Sequence, residues 1–120
     1  MDFPWMDKES RIKGSIEKWR ATFPCARAVN LSRRNDIVDA DFVHIRGEVR
    51  ARLHIVNISM CSLITDAAFV HLRGIHTLNM SVCSQATITT AAIEHLRGIR
   101  CLDTSYCSLA VQAAATALQR

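Results

Sequence analysis

The sequence predicts an α/β solenoid: a short parallel sheet on a concave side, helices on a convex side, and a helix closing the N-terminal end. Three observations predict it. "ITDAAFVHLRGIHTLNMSVCS" at 64–84 is followed by "ITTAAIEHLRGIRCLDTSYCS" at 88–108. Self-similarity at a period of about 20–50 residues marks units that hide their apolar faces only by stacking on one another. The spacing of Ile75, Leu78, Met80 and Cys83 returns at Leu53, Val56, Ile58 and Cys61, and again at Ile99, Leu102, Thr104 and Cys107. The copies that begin at Leu53 and Ile75 then run into a helical phrase that opens near a threonine, Thr65 or Thr89, and stops at a glycine, Gly74 or Gly98.

Taken in chain order, residues 1–25 lie outside the repeat. From Asp7 onward Ile12, Ile16, Trp19 and Phe23 recur every three to four positions among charged neighbours, the pattern of an amphipathic helix, and Pro24 ends it. Its expected task is to cap the first repeat, with "FPW" at 3–5 as a tail. Repeats occupy 26–120, about four in number. The first copy, Ala26, Val29 and Leu31, carries Arg34 where the others have cysteine, and its helical phrase runs from Ile37 to Gly47. In the strands, alternation turns Leu78 and Met80 inward and Asn79 and Ser81 outward. In the helical phrases Ala68, Phe69 and Leu72 form an inner stripe, repeated by Ala92, Ile93 and Leu96. A threonine hydroxyl can accept from a free amide at the helix start, and glycine supplies the left-handed residue at its stop. The last phrase, Ala110 to Arg120, is rich in alanine, with good helix propensity and little area to bury.

The recurring L-x-x-L-x-L-x-x-C phrase resembles the cysteine-containing leucine-rich repeat, a type common in F-box proteins and related scaffolds. The resemblance covers roughly 26–120, with departures at Arg34, at Thr104 and in the longer connection "EVRARLH". It implies a leucine-rich-repeat fold and a relation to ubiquitin-ligase substrate receptors, although no F-box is recognisable. In such a repeat Cys61, Cys83 and Cys107 turn inward as small hydrophobes with a weak donor.

Composition narrows the chemistry. With 120 residues and 49% hydrophobic content, one folding unit is expected. There is no run of about 18 apolar residues, and the acidic opening "MDFPWMDKES" is unlike a leader. Five cysteines, three at one repeat position, suit a reducing compartment, so a cytoplasmic location and no membrane contact are expected. The net charge of +4 is mild. Arg33, Arg34, Arg46, Arg50 and Arg52 are diluted by Asp36, Asp39, Asp41 and Glu48, and one tyrosine and two tryptophans give no base-stacking platform, so no nucleic acid is expected. His44, His71 and His95 repeat at one helical position, but neighbouring helices about 10 Å apart rarely converge on one ion. No C-x-x-C occurs, and no nucleophile has a distinctive base, so neither a metal, a cofactor nor a catalytic site is expected.

What remains is shape. The outward strand positions are Ala28, Asn30 and Ser32, then Ile55, Asn57 and Ser59, then Thr77, Asn79 and Ser81, then Cys101, Asp103 and Ser105. The near-invariant Asn and Ser columns suggest ladders to neighbouring strands or water, whereas the variable neighbours Arg33, Met60, Val82 and Tyr106 suit specificity, Tyr106 as the anchor. The sequence therefore points to a non-catalytic scaffold that meets a protein partner through its concave face or its open C-terminal edge. Candidate contacts are Arg33, Met60, Val82, Tyr106, Asn57, Asn79, Asp103 and Leu109. The alternative is a structural subunit of a larger assembly, and the apolar edge beside Tyr106 and Leu109 invites self-association.

Overall fold

A computed structural model describes residues 14–23, 27–45 and 54–118. Its elements are α1 (Ile16–Thr22), β1 (Ala28–Asn30), a 3₁₀ helix η1 (Asp39–His44), β2 (Ile55–Asn57), a 3₁₀ helix η2 (Asp66–Leu72), β3 (Thr77–Asn79), α2 (Thr90–Glu94), β4 (Cys101–Asp103) and α3 (Leu109–Leu118). The fold is α/β. Four parallel strands follow in the order β1-β2-β3-β4. Val29, Val56, Leu78 and Leu102 occupy one rung, so the register of the sheet reproduces the alignment of the sequence copies.

Behind the strands, α1 packs on η1, η1 on η2, η2 on α2 and α2 on α3. A single core joins the two sides. Val29, Leu31, Val56, Ile58, Leu78 and Met80 enter it from the strands, and Phe42, Phe69, Leu72, Ile93 and Leu96 from the helices.

Two helical phrases are tighter than an amphipathic α-helix. Strands in a sheet lie about 4.8 Å apart, whereas packed α-helices need about 8–10 Å. A slimmer 3₁₀ turn, rising about 2 Å per residue, reduces this mismatch and crosses the back of the sheet with fewer residues. The predicted cap holds: Ala67 N donates to Thr65 Oγ1 and Ala91 N to Thr89 Oγ1, both at 3.2 Å. Val38 occupies the same position in the first copy and has no hydroxyl. There Asp41 Oδ2 instead accepts from Val38 N at 2.9 Å. Gly74 and Gly98 have φ of 84° and 86°, the left-handed stops expected of them.

The N-terminal helix differs from its predicted course. Its described part starts at Ile16, where Ser15 Oγ accepts from Lys18 N at 3.1 Å and Gly14 takes φ 79°. A left-handed glycine beside an N-cap marks a helix start, so the hydrophobic period overruns the element on that side. Ile16 is buried and Trp19 packs at the core margin, while Phe23, the helix C-cap, is 55% exposed. Asp7, Ile12 and the "FPW" tail lie outside the described residues, as do Gly47 and the "EVRARLH" connection up to Leu53. No described helix is long and apolar enough to cross a membrane.

Candidate protein-binding face

Each strand leads into the same turn. Leu31, Ile58 and Met80 are buried, a serine follows, and the chain doubles back through an amide donated to the carbonyl three residues earlier. These bonds are Arg34 N to Leu31 O at 3.2 Å, Cys61 N to Ile58 O at 3.2 Å, Cys83 N to Met80 O at 3.2 Å and Cys107 N to Thr104 O at 3.0 Å. The third residue of each turn is left-handed: φ is 63° at Arg33, 63° at Met60, 62° at Val82 and 62° at Tyr106. A positive φ confined to that position is the signature of a type II turn, which ordinarily takes glycine there. For an L-residue this backbone costs about 1–2 kcal/mol, and a β-branched valine is an outlier in it.

The asparagine column explains how the turns are held. Asn30 Oδ1 accepts from Ser32 N at 3.0 Å, Asn57 Oδ1 from Ser59 N at 2.9 Å, Asn79 Oδ1 from Ser81 N at 3.0 Å and Asp103 Oδ1 from Ser105 N at 2.9 Å. The sequence predicts ladders between strands or to water, but these side-chain oxygens bind their own chain two residues on. Asn30 and Asn57 are buried, and Asn79 and Asp103 are half-buried. Of the candidate contacts, Asn57 therefore presents almost no surface.

The turns also bond to one another. Arg33 N donates to Ser59 O at 2.8 Å, Met60 N to Ser81 O at 3.1 Å and Val82 N to Ser105 O at 2.8 Å. Arg33, Met60, Val82 and Tyr106 thereby stand in one row, about 4.8 Å per step. Arg33 is exposed, and Met60, Val82 and Tyr106 are 42%, 41% and 79% exposed. The row ends at β4, the last strand of the sheet, with Leu109 84% exposed at the start of α3.

The thiols lie beneath this row. Cys61 Sγ donates to Leu31 O at 3.0 Å, Cys83 Sγ to Ile58 O at 3.2 Å and Cys107 Sγ to Met80 O at 3.1 Å, each reaching the turn before its own. Burial, with Cys61 and Cys107 nearby, pushes the Cys83 thiol up to about 12, and burial raises that of Cys107. At pH 8 a thiol titrating near 12 holds a thiolate fraction of about 10⁻⁴. Cys101 is half-buried. A bulky maleimide therefore labels Cys101 in the native protein while Cys83 stays protected until denaturant is added. Mass spectrometry of the labelled peptides checks this, and native labelling of Cys83 at the rate of Cys101 contradicts it.

Other singled-out residues are dispersed. His44 Nε2 is 3.8 Å from Glu17, and His95 Nδ1 is within 2.9 Å of the Arg73 guanidinium. Among the described residues no three histidines, cysteines or acids gather where they could hold a metal. Arg34 is bound by Asp36, Nε to Oδ1 and Nη2 to Oδ2 at 2.8 Å each, and its Nη2 also reaches Gly14 O at 2.9 Å. This hydrogen bonding holds the Asp36 carboxyl near 2, below the usual carboxylate range. Arg34 thus fastens the first turn to the residue preceding the α1 cap, while Arg46, Arg50 and Arg52 lie outside the described residues.

Two carboxylates were not legible as functional or structural groups. Asp39 accepts from Thr65 N at 2.7 Å and from Thr65 Oγ1 at 2.5 Å, and Asp66 repeats the clamp on Thr89 at 2.7 and 2.6 Å. The recurrence of Asp one residue after the cap position, at Val38-Asp39 and Thr65-Asp66, was the only signal. No family model, curated protein or solved structure matches the chain.

Proposed function

We propose that the chain is a non-catalytic leucine-rich-repeat scaffold of the cysteine-containing kind, which binds a protein partner through the row Arg33, Met60, Val82 and Tyr106. The observation that carries this reading is the left-handed backbone at all four positions. Glycine would relieve each turn, yet the chain has arginine, methionine, valine and tyrosine there, three of them apolar or amphipathic and well exposed. Strain kept at exposed side chains is a signature of function, and an amphipathic tyrosine is a favoured anchor. The repeat assignment is supported by the agreement of strand register with the sequence copies and by the thiol of each turn donating to the turn before it.

The test separates binding from stability. In a Met60→Gly/Val82→Gly variant, relief of strain, offset by the greater freedom of unfolded glycine at about 0.5–1 kcal/mol each, leaves the thermal midpoint unchanged or raised. Affinity purification with quantitative mass spectrometry then shows the proteins retained by wild type lost from this variant and from Tyr106→Ala, but kept by Val70→Ser on η2. Retention of the same proteins by both row variants contradicts the proposal.

A second reading, assembly through the C-terminal edge, is favoured by the exposure of Tyr106 and Leu109 beside the edge strand β4. An exposed strand edge with apolar surface next to it offers backbone and side-chain contacts together. Light scattering at rising concentration shows association weakened by Leu109→Glu. A strict monomer in both proteins contradicts it.

A further inference from the structure

At the opposite ends of the strands a second row runs across the sheet. Arg27 O accepts from His54 N at 2.7 Å and Ile55 N at 3.0 Å, and His54 O from His76 N at 2.9 Å and Thr77 N at 3.0 Å. His76 O accepts in turn from Arg100 N at 3.0 Å and Cys101 N at 3.1 Å. Arg27, His54, His76 and Arg100, each the residue immediately before its strand, therefore stand on consecutive rungs. Three steps of about 4.8 Å give a row of about 14 Å. Arg27, His54 and Arg100 are exposed and His76 is half-buried. The imidazoles of His54 and His76 stack with centroids 4.4 Å apart and planes 19° apart, and His76 Nδ1 is 2.7 Å from Thr77 Oγ1, which fixes that ring. Burial, then the electrostatic effect of the neighbouring His76 and Arg27, lowers the His54 pKa.

We infer that this row, Arg27, His54, His76 and Arg100, is a docking surface for an extended acidic segment of a protein. An extended chain presents same-side residues about every 6.8 Å, so three alternate carboxylates span the same 14 Å as the four bases. At one end of the row the exposed Arg27 can take a carboxylate through two parallel bonds, the imidazole N–H groups supply donors along it, and Arg100 adds positive charge at the other end. A single-stranded nucleic acid would need open aromatic faces on which its bases stack. In this row the two imidazoles spend one face each on the other, and no larger aromatic side chain stands among its four residues. The inference is independent of the partner-binding row, which lies beyond the other ends of the strands.

The probe is the peptide Glu-Ser-Glu-Ser-Glu-Ser-Glu, titrated into the ¹⁵N-labelled full chain at low salt and followed by amide chemical shifts. Shifts concentrated at Arg27, His54, His76 and Arg100 are expected. Arg27→Gln/Arg100→Gln weakens the affinity about tenfold, as loss of two exposed pairs implies, and His54→Gln/His76→Gln weakens it as well. The same spectra show that each variant is folded. Met60→Gly/Val82→Gly leaves peptide binding intact, so failure of one surface is distinguishable from failure of the other. Absence of shifts, shifts spread over the whole surface, affinity unchanged in both charge variants, or tighter binding of oligouridylate of equal charge overturns the inference.

Discussion

Phe69→Ala lowers the free energy of unfolding by about 3–5 kcal/mol, the range for deleting a phenylalanine from a core that cannot collapse around the gap. Phe69 is fully buried on η2, which is packed on one side by η1 and on the other by α2. Both neighbours are anchored to their own strands, so neither is free to close over the cavity. The loss is a large fraction of the stability of a small domain, about 5–15 kcal/mol in all, and the variant is expected to unfold at a markedly lower temperature. Urea unfolding followed by circular dichroism measures it. Val70→Ala, at an adjacent residue 39% exposed, serves as the control and changes stability by about 0.5 kcal/mol or less. A Phe69→Ala effect below about 1 kcal/mol would show that the core is far looser than its burial implies.

Asp39→Ala costs about 2–3 kcal/mol, the next largest effect. One carboxylate holds both the amide and the hydroxyl of Thr65, and that hydroxyl in turn accepts from Ala67 N at the start of η2. Hydrogen bonds to an ionised acceptor contribute about 1.5–3 kcal/mol each in favourable settings, and Asp39 and Thr65 are both half-buried. Removing the acid leaves a partly buried amide without its acceptor and frees the cap to rotate. Asp39→Asn retains one acceptor oxygen and loses about half as much. Asp66→Ala removes the same clamp from Thr89, where the bonds are exposed, and costs less. Urea midpoints rank the three variants, and amide exchange at Thr65 reports the local opening. Equal effects for Asp39→Ala and Asp66→Ala would contradict the role assigned to burial.

Much of this architecture was written locally. Strand order and register follow from three copies of one apolar spacing, because a period of two in the strand fixes which residues enter the core. Thr65, Thr89, Gly74 and Gly98 announce helix ends through chemistry that acts over two or three residues. Burial of Cys61, Cys83 and Cys107 was legible for the same reason, since each recurs three residues after an inward strand position. Arg33, Met60, Val82 and Tyr106 stood out as the variable neighbours of near-invariant columns.

Other features depended on parts of the chain far apart in sequence. Nothing near Val82 calls for a left-handed residue. That conformation arises where the turn closes on Met80 while its own amide donates to Ser105. The clamps join residues 26 and 23 positions apart, beyond the reach of any local pattern. Periodicity can distinguish helix from strand, but the choice of 3₁₀ over α in η1 and η2 depends on how closely the neighbouring element lies. The row Arg27, His54, His76 and Arg100 is scattered over more than 70 positions of the chain and becomes a surface only because the sheet sets its strands on adjacent rungs. The sequence by itself determined the apolar residues that enter the core from strand and helix and the caps at Thr65 and Thr89, since those depend on near neighbours. The tertiary structure alone decided backbone hand, helix pitch and charge alignment, since each depends on the distance between one turn of the chain and the next.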